Sequence, residues 1–321
     1  MNEVLAAGAN DAATRGMNLL DKIERAFIAG REPAFLMKEL SIGLNGIRAR
    51  MRPEDWLSFA RSSQRHALAS IVHQDPFTGW SFRKPRGYPG DAGLLDFIYE
   101  HTSVAPHVEA ASDLGRGIYA FSKMTPAPVA VRERRDILAD TVDRIAARQN
   151  RPVRVLAIAA GHLREAERSE AMQTGVVEQW VALDQDEASL AEVRRRFEGG
   201  PVRAITGSVS GLLHKKYGLG SFDLIYAAGL YDYLVPKVAN RLTNAAFDLL
   251  NPGGTYLFAN FTEDMADVGY TETFMDWHLI LRSDDDMARI AASVYSPALA
   301  ETTFYRGANG AIAYCELSKE A

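Results

Sequence analysis

The apolar positions change their period once along this chain. Over the first 75 or so residues they recur every three or four positions. Leu19, Leu20, Ile23, Ala26 and Phe27 form one stripe, and Phe35, Leu36, Leu40 and Ile42 belong to the next element. That spacing predicts helices. Arg52-Pro53-Glu54-Asp55-Trp56 opens another, with proline and acids in its first turn. The region reads as scaffolding, either a helical cap or a dimer surface. A further helix is predicted over 129–147, with Ile137, Leu138, Thr141, Val142 and Ile145 as its buried stripe. Arg134 lies one turn before Leu138 on that stripe, so it needs an anion, a structural carboxylate or that of a ligand.

From residue 151 the pattern is different. Apolar runs fall at 153–160, 176–184, 202–206, 222–229 and 255–261, with helical segments near 163–173, 186–198, 210–217 and 235–250. The runs are continuous rather than alternating, as strands buried on both faces are. This rhythm predicts a mostly parallel sheet with helices on both faces. Asn251-Pro252-Gly253-Gly254 stops the longest helix and turns the chain into the next strand. Near the end, 301–305 and 311–317 flank RGANG and read as a hairpin.

The first of these units carries the strongest functional signal. The run 153–158 ends in Ala159-Ala160-Gly161, and a helix is expected from about Leu163. Strand, tight small-residue turn and helix open a nucleotide-binding α/β domain. About twenty residues on, the second run ends in Asp184, where such folds place an acid that accepts ribose hydroxyls.

Composition narrows the partners. The 321 residues are 47% hydrophobic and 24% charged, an ordinary globular balance long enough for two structural units. A net charge of −5 gives no electrostatic reason to expect nucleic acid. One cysteine, Cys315, excludes an intrachain disulfide and a thiolate cluster, and its setting reads as a buried strand with an inert thiol. The seven histidines show no ligand spacing alongside carboxylates, so no metal is expected. No basic start with an apolar core opens the chain, and no run approaches the roughly 20 residues that span a bilayer. The expectation is a soluble cytoplasmic protein without membrane insertion.

One loop stands out. Residues 74–100, QDPFTGWSFRKPRGYPGDAGLLDFIYE, are dense in proline, glycine, aromatics and basic residues, unlike a plain linker. Arg86, Tyr88 and Asp91 gather a guanidinium, a phenol and a carboxylate around a stiff turn. Asp91 also stands where it would cap a helix starting near Ala92.

These residues resemble a known superfamily. The second half is similar to class I S-adenosylmethionine-dependent methyltransferases: a Rossmann-like α/β sheet, mostly parallel, with an antiparallel last strand. Gly161 matches the glycine of the loop after strand 1, Asp184 the ribose-binding acid, and Ile205-Thr206-Gly207-Ser208-Val209 the segment flanking adenine. Phe222-Asp223-Leu224-Ile225-Tyr226 matches strand 4, and Leu250-Asn251-Pro252-Gly253-Gly254 the turn before strand 5. A narrower likeness covers most of the chain: KPRGYPGDAG, ALDQD, FDLIYAAGLYDYL and MDWHLILRSDDDM resemble bacterial enzymes that methylate 3-hydroxy fatty acids to ester signals. The resemblance implies an N-terminal helical or lid domain over 1–128, carrying the GYPGD loop, and a cofactor-binding domain over 129–321. The helical part and the loop are expected to close over the pocket.

The implied cofactor set is Ala159, Gly161, Asp184, Gln185, Ser208, Val209 and Ala228, with Arg134 added as an anion holder. The superfamily's strand-1 loop carries an acid and several glycines, whereas Ala157, Ala159 and Ala160 stand here. Glu165 is the candidate replacement for the acid that binds the cofactor's amino group. Methyl transfer from a sulfonium is an in-line displacement that needs orientation above all. A carboxylate acceptor is already ionised near neutral pH and requires no base. Tyr231 and Tyr233 after strand 4, and Asn260 ending strand 5, are placed to orient an acceptor, with Arg86 and Trp277 as further walls. Tyr88, Asp91, Asn260 and His278 are the candidate catalytic residues, His278 being the base if the acceptor is an amine or a phenol. His162 is expected to border the cofactor. A fatty acid carboxylate heads the acceptors, followed by nitrogen or oxygen of a specialised metabolite. Two rivals remain: a catalytically silent methyltransferase-like binding protein, favoured by the depleted loop, and a nicotinamide oxidoreductase, disfavoured by the single glycine and the hairpin. A homodimer through the N-terminal helices is the expected assembly.

Overall fold

The computed structural model describes residues 2–321, with side chains from residue 11 onward. The continuous apolar runs become the strands of a seven-stranded sheet: β1 (Val153–Ile158), β2 (Val177–Asp184), β3 (Val202–Thr206), β4 (Phe222–Ala227), β5 (Leu250–Phe261), β6 (Leu299–Arg306) and β7 (Ile312–Lys319). Their order is β3-β2-β1-β4-β5-β7-β6. The pairs among β1 to β5 are parallel, and β7 runs antiparallel to both β5 and β6. This is the topology of the class I methyltransferase fold. β5 begins earlier than the apolar pattern predicts, because Leu250 already pairs with Phe222 before the turn residues. Gly254 permits that approach: a Cβ there would lie 2.9 Å from the Asn251 carbonyl and 3.0 Å from that of Phe222.

The chain divides into two compact units, Met1–Val129 with Met265–His278, and Ala130–Asp264 with Leu279–Ala321. The fourteen residues Met265–His278 after β5 group with the helical unit.

The helical unit holds the predicted helices. Leu20, Ile23 and Phe27 are buried along Asn2–Ile28, and Leu36, Met37, Leu40 and Leu44 along Pro33–Arg48. Phe35 and Ile42 sit on that same second helix but face solvent, 58% and 64% exposed. In the sheet unit one core cluster joins Leu156, Ile225 and Phe258 to Leu242 and Phe247 of the helix Pro236–Asp248 and to Ile290 of Asp284–Ala291. Cys315 is fully buried among them, and burial pushes its thiol pKa far up, so it is an inert core thiol.

One predicted helix is absent. In place of a helix from Leu163, an irregular segment leads to a single turn, Glu170–Gln173. His162, Leu163, Arg164, Glu165 and Ala166 are all buried, and five successive buried positions cannot share one helix face. Leu163 also takes φ +54°, outside the helical region. Asp143, on the helix Pro126–Gln149, starts the short turn instead by accepting from Ser169 Oγ and from the Glu170 and Ala171 amides. Among the described residues no helix is long and apolar enough to cross a membrane.

Candidate functional site

In the sheet unit the loops after β1, β2 and β3 meet around one carboxylate. Asp184 ends β2 and is 8% exposed. Its Oδ2 accepts the Gly161 N–H at 2.8 Å, and its Oδ1 accepts the Asp186 N–H at 2.8 Å. The Gly207 N–H donates to the Asp184 carbonyl at 2.7 Å. A carboxylate offers about four acceptor positions, so two remain for a ligand's hydroxyls. The β1 loop reaches this place by a tight path: Ala159, Gly161 and Leu163 adopt φ of +57°, +55° and +54°. Gly161 does so at little cost, whereas Ala159 carries left-handed strain on an exposed methyl.

Ser208 caps the helix Val209–Leu213 by accepting from the Gly211 N–H at 3.1 Å. Its own N–H donates to the Tyr217 hydroxyl at 2.8 Å. Val209 is half-buried and Gln185 exposed, while His162 is buried in the β1 loop.

A second cluster lies at the ends of β1 and β4. Glu165 is buried and accepts a hydrogen bond from the Tyr226 hydroxyl on β4. Burial raises its pKa above the ordinary carboxylate value, against the Tyr226 hydrogen bond and the positive charge of Arg134. Arg134 is itself buried, and its Nη1 donates to the Ala228 carbonyl at 2.8 Å. Its anchor is thus a backbone carbonyl, with Glu165 and Asp232 as the carboxylates within electrostatic reach. The sequence reading placed Tyr226 on strand 4 but did not single it out as a site residue.

Two acceptor candidates are corrected. Tyr231 is fully buried: its hydroxyl meets Thr243 Oγ1 at 2.6 Å and the Tyr256 hydroxyl at 2.8 Å, and its ring stacks on Phe258 at 4.6 Å. It is a core residue and cannot line a substrate site. Asn260 has both ends of its amide committed, donating to the Phe261 and Ile280 carbonyls at 2.8 Å each and accepting from Arg282. Tyr233 stays 41% exposed on the same turn. Arg282, which sequence reasoning missed, is 3% exposed and also donates to the Tyr231 carbonyl at 2.6 Å and to that of Leu234. Asp232 stands beside it, accepting the Phe261 N–H at 2.7 Å, and burial pushes its pKa to about 6. Together they clasp the turn after β4 to the end of β5.

The helical unit's candidates form a separate set. Asp91 is 1% exposed and caps Ala92–Ile98 through the Leu94 N–H at 2.7 Å, while the Trp80 indole donates to the same carboxylate at 3.0 Å. This is the helix cap expected from its position before Ala92. Arg86 and Tyr88 are half-buried in the preceding turn. Trp277 is 7% exposed. His278 has Nε2 3.4 Å from Asp276 Oδ1, and Asp276 also pairs with Lys84. Burial alone would raise the Asp276 pKa, but the Lys84 ammonium and its hydrogen bond bring it below the ordinary value.

One grouping runs against the expectation of no metal cluster. Asp21, Glu24 and His66 bring ligand atoms within 4.8 Å of one another. His66 Nδ1 accepts the Leu68 N–H at 3.1 Å and Nε2 donates to Asp21 at 3.0 Å, so both ring nitrogens already have partners.

No family model matches the chain, and the curated proteins hold no match to it. Among solved structures, a possible exported protein from Bordetella parapertussis aligns with a TM-score of 0.57 at 16% identity, over 99% of this chain and 97% of that one. Magnesium protoporphyrin IX methyltransferase from Synechocystis, with S-adenosylhomocysteine bound, aligns at 0.46 and 10% identity, over 70% of this chain and 96% of that one. The N-methyltransferase NodS from Bradyrhizobium japonicum, also with S-adenosylhomocysteine, aligns at 0.44 and 15% identity, over 70% and 100%. The Bordetella likeness, the strongest of these three, is one of fold.

Proposed function

We propose that this chain is an S-adenosylmethionine-dependent methyltransferase of a small molecule, and that its first acceptor is the carboxylate of a 3-hydroxy fatty acid. The observation that carries the reading is Asp184: a buried acid at the end of β2, fixed by two backbone donors and with acceptor capacity to spare. Opposite charges at Glu165 and Arg134 suit the ammonium and carboxylate of an amino-acid moiety, so the donor set fits the cofactor that the fold implies. When bound, that cofactor supplies an electrophilic methyl group.

The chain's own residues would bind and orient. Asp184 accepts ribose hydroxyls, and Glu165 and Arg134 fix the amino-acid end. The Tyr226 hydroxyl holds the Glu165 carboxylate in place. An acceptor carboxylate needs no base, and correct alignment alone is worth about 7–11 kcal/mol. A second reading, methylation of nitrogen or oxygen in a specialised metabolite, draws on the His278–Asp276 pair, since such acceptors lose a proton and a carboxylate-oriented imidazole accepts one.

Calorimetric titration with S-adenosylhomocysteine tests the assignment. Micromolar binding is expected, weakened at least about tenfold in Asp184→Ala and in Glu165→Gln. Asp184→Asn, which keeps one backbone acceptor, separates lost binding from a disordered loop. Absence of binding to folded wild-type protein sinks the proposal and leaves the silent binding protein as the better reading. Once binding is established, 3-hydroxy fatty acids are tried before amines.

A further inference from the structure

The two edges of the sheet are guarded very differently. β3 is five residues long, follows Pro201 and carries Arg203 at its second position. Short length, proline and exposed charge are the usual defences of an edge strand. β6 has eight residues, and four in succession, Thr302-Thr303-Phe304-Tyr305, are strong strand formers, with its charges, Glu301 and Arg306, on either side of them. No proline or lysine interrupts it. Its one irregularity lies between Leu299 and Glu301, at the end, so the pairing from Glu301 to Arg306 is regular.

β6 is also open. It pairs with β7 alone, and residues 300–304 are all exposed, Phe304 to 46%. On one face Glu301, Thr303 and Tyr305 border a trough of about 610 Å³ whose opposite wall is the helix Pro126–Gln149, through Ile137, Thr141, Arg144 and Arg148, so that face is partly covered while the strand's outer edge is not. The Glu301 carboxylate makes no hydrogen bond or ion pair among the described residues, whereas Arg306 is already paired with Asp264 and Asp284. Alternate backbone N–H and C=O groups along the outer edge are left to water.

We propose that β6 is a dimerisation edge: a second copy of this chain adds its own β6 antiparallel across a two-fold axis, joining the two sheets into one. The axis stands perpendicular to the sheet, so facing residues share a face and their numbers sum to an even total. Centring it on Thr303 uses the regular stretch symmetrically. Thr303 then faces its own copy, Glu301 faces Tyr305, Thr302 faces Phe304, and Ala300 faces Arg306. No like charges meet, and the unpaired Glu301 carboxylate gains a phenol neighbour on each side of the axis. Threonine and aromatic partners facing one another are favourable cross-strand pairs.

Sedimentation of the full chain tests this, with circular dichroism of every variant to establish folding. Wild type is expected to sediment as a dimer at micromolar concentration. Thr303→Lys places two ammoniums opposite each other and halves the mass, as does Thr303→Glu with two carboxylates. An equimolar mixture of the two variants restores the dimer, because lysine now faces glutamate. A monomeric wild type overturns the proposal. So does a dimer indifferent to both substitutions, which would put the contact elsewhere, such as the exposed Phe35 and Ile42 face. Tighter association in Thr303→Lys alone also overturns it, since that would mean the introduced ammonium faces Glu301 in another register.

Discussion

Asp75 tests how this fold handles a buried charge. Its side chain is fully buried and caps the helix Pro76–Arg83. Oδ1 accepts the Phe77 N–H at 2.9 Å, and Oδ2 accepts the hydroxyls of Thr78 at 2.7 Å and Ser122 at 2.8 Å. Burial outweighs these hydrogen bonds and raises the pKa from 3.8 to about 6. The folded state therefore holds this proton more tightly than the unfolded chain. Its stabilising contribution is complete below the unfolded pKa and is lost as pH rises through the folded one. At about 1.4 kcal/mol per pH unit, the interval from 3.8 to about 6 amounts to about 3 kcal/mol.

Asp75→Asn removes the titration and keeps the cap, asparagine being as good an N-cap as aspartate. Its Oδ1 still accepts from Phe77, and its Nδ2 donates to one of the hydroxyls, which must turn. That rearrangement costs about 1 kcal/mol at low pH. The variant is thus slightly less stable than wild type near pH 3.5 and about 2 kcal/mol more stable near pH 7, from the same ledger. Urea unfolding followed by tryptophan fluorescence measures this, because Trp56, Trp80 and Trp277 lie in the helical unit. Other carboxyls, Asp232 among them, also titrate, so the informative quantity is the difference between variant and wild type at each pH. A difference that stays flat from about pH 3.5 to about pH 7 would refute the reasoning: the three donors would then hold Asp75 ionised at its ordinary pKa.

Two further substitutions test local claims. Ala159→Gly removes left-handed strain from an exposed methyl, so stability should rise by up to about 1 kcal/mol in thermal or urea unfolding; a loss would mean the methyl packs against something. Glu272→Ala strands Arg48, whose Nε lies 2.6 Å away, and the Trp56 indole N–H, also at 2.6 Å. A fully buried pair would cost about 3–5 kcal/mol, but Arg48 is one-third exposed, so about 2–3 kcal/mol is expected in urea unfolding, and a loss below about 1 kcal/mol would mean that water replaces the carboxylate.

The sheet was legible because burial on both faces leaves little freedom in composition. Every predicted run in 153–261 falls on a strand, β5 extending upstream of its run to Leu250, and the antiparallel β6–β7 pair follows from a hairpin visible in the sequence. The segment after β1 was not legible for the opposite reason. Leu163-Arg164-Glu165-Ala166-Glu167-Arg168 has the residue preferences of a helix, and only tertiary burial of its charged members prevents one. Arg164 is 4% exposed yet finds Glu167 at 3.0 Å and Glu192 at 3.5 Å, the latter from the helix Glu187–Arg196. No local pattern announces such a partner.

The same distinction sorts the polar residues at the carboxyl edge of the sheet. Sequence places a side chain at that edge, but not the direction in which it points. Asp184 lies between two glycine-bearing loops whose amides fix it while leaving acceptor positions unused. Asn260 and Tyr231 occupy equally promising positions and turn inward, to Arg282 and Thr243 respectively. Their partners come from elsewhere in the chain: Arg282 lies 22 residues beyond Asn260, and Thr243 a helix beyond Tyr231. Separation along the chain does not tell the two kinds apart, since Asp184 takes its Gly161 donor from 23 residues away. What differs is commitment: the Asn260 amide and the Tyr231 hydroxyl are used up by protein partners, and with Arg282 they build the clasp that holds the turn after β4.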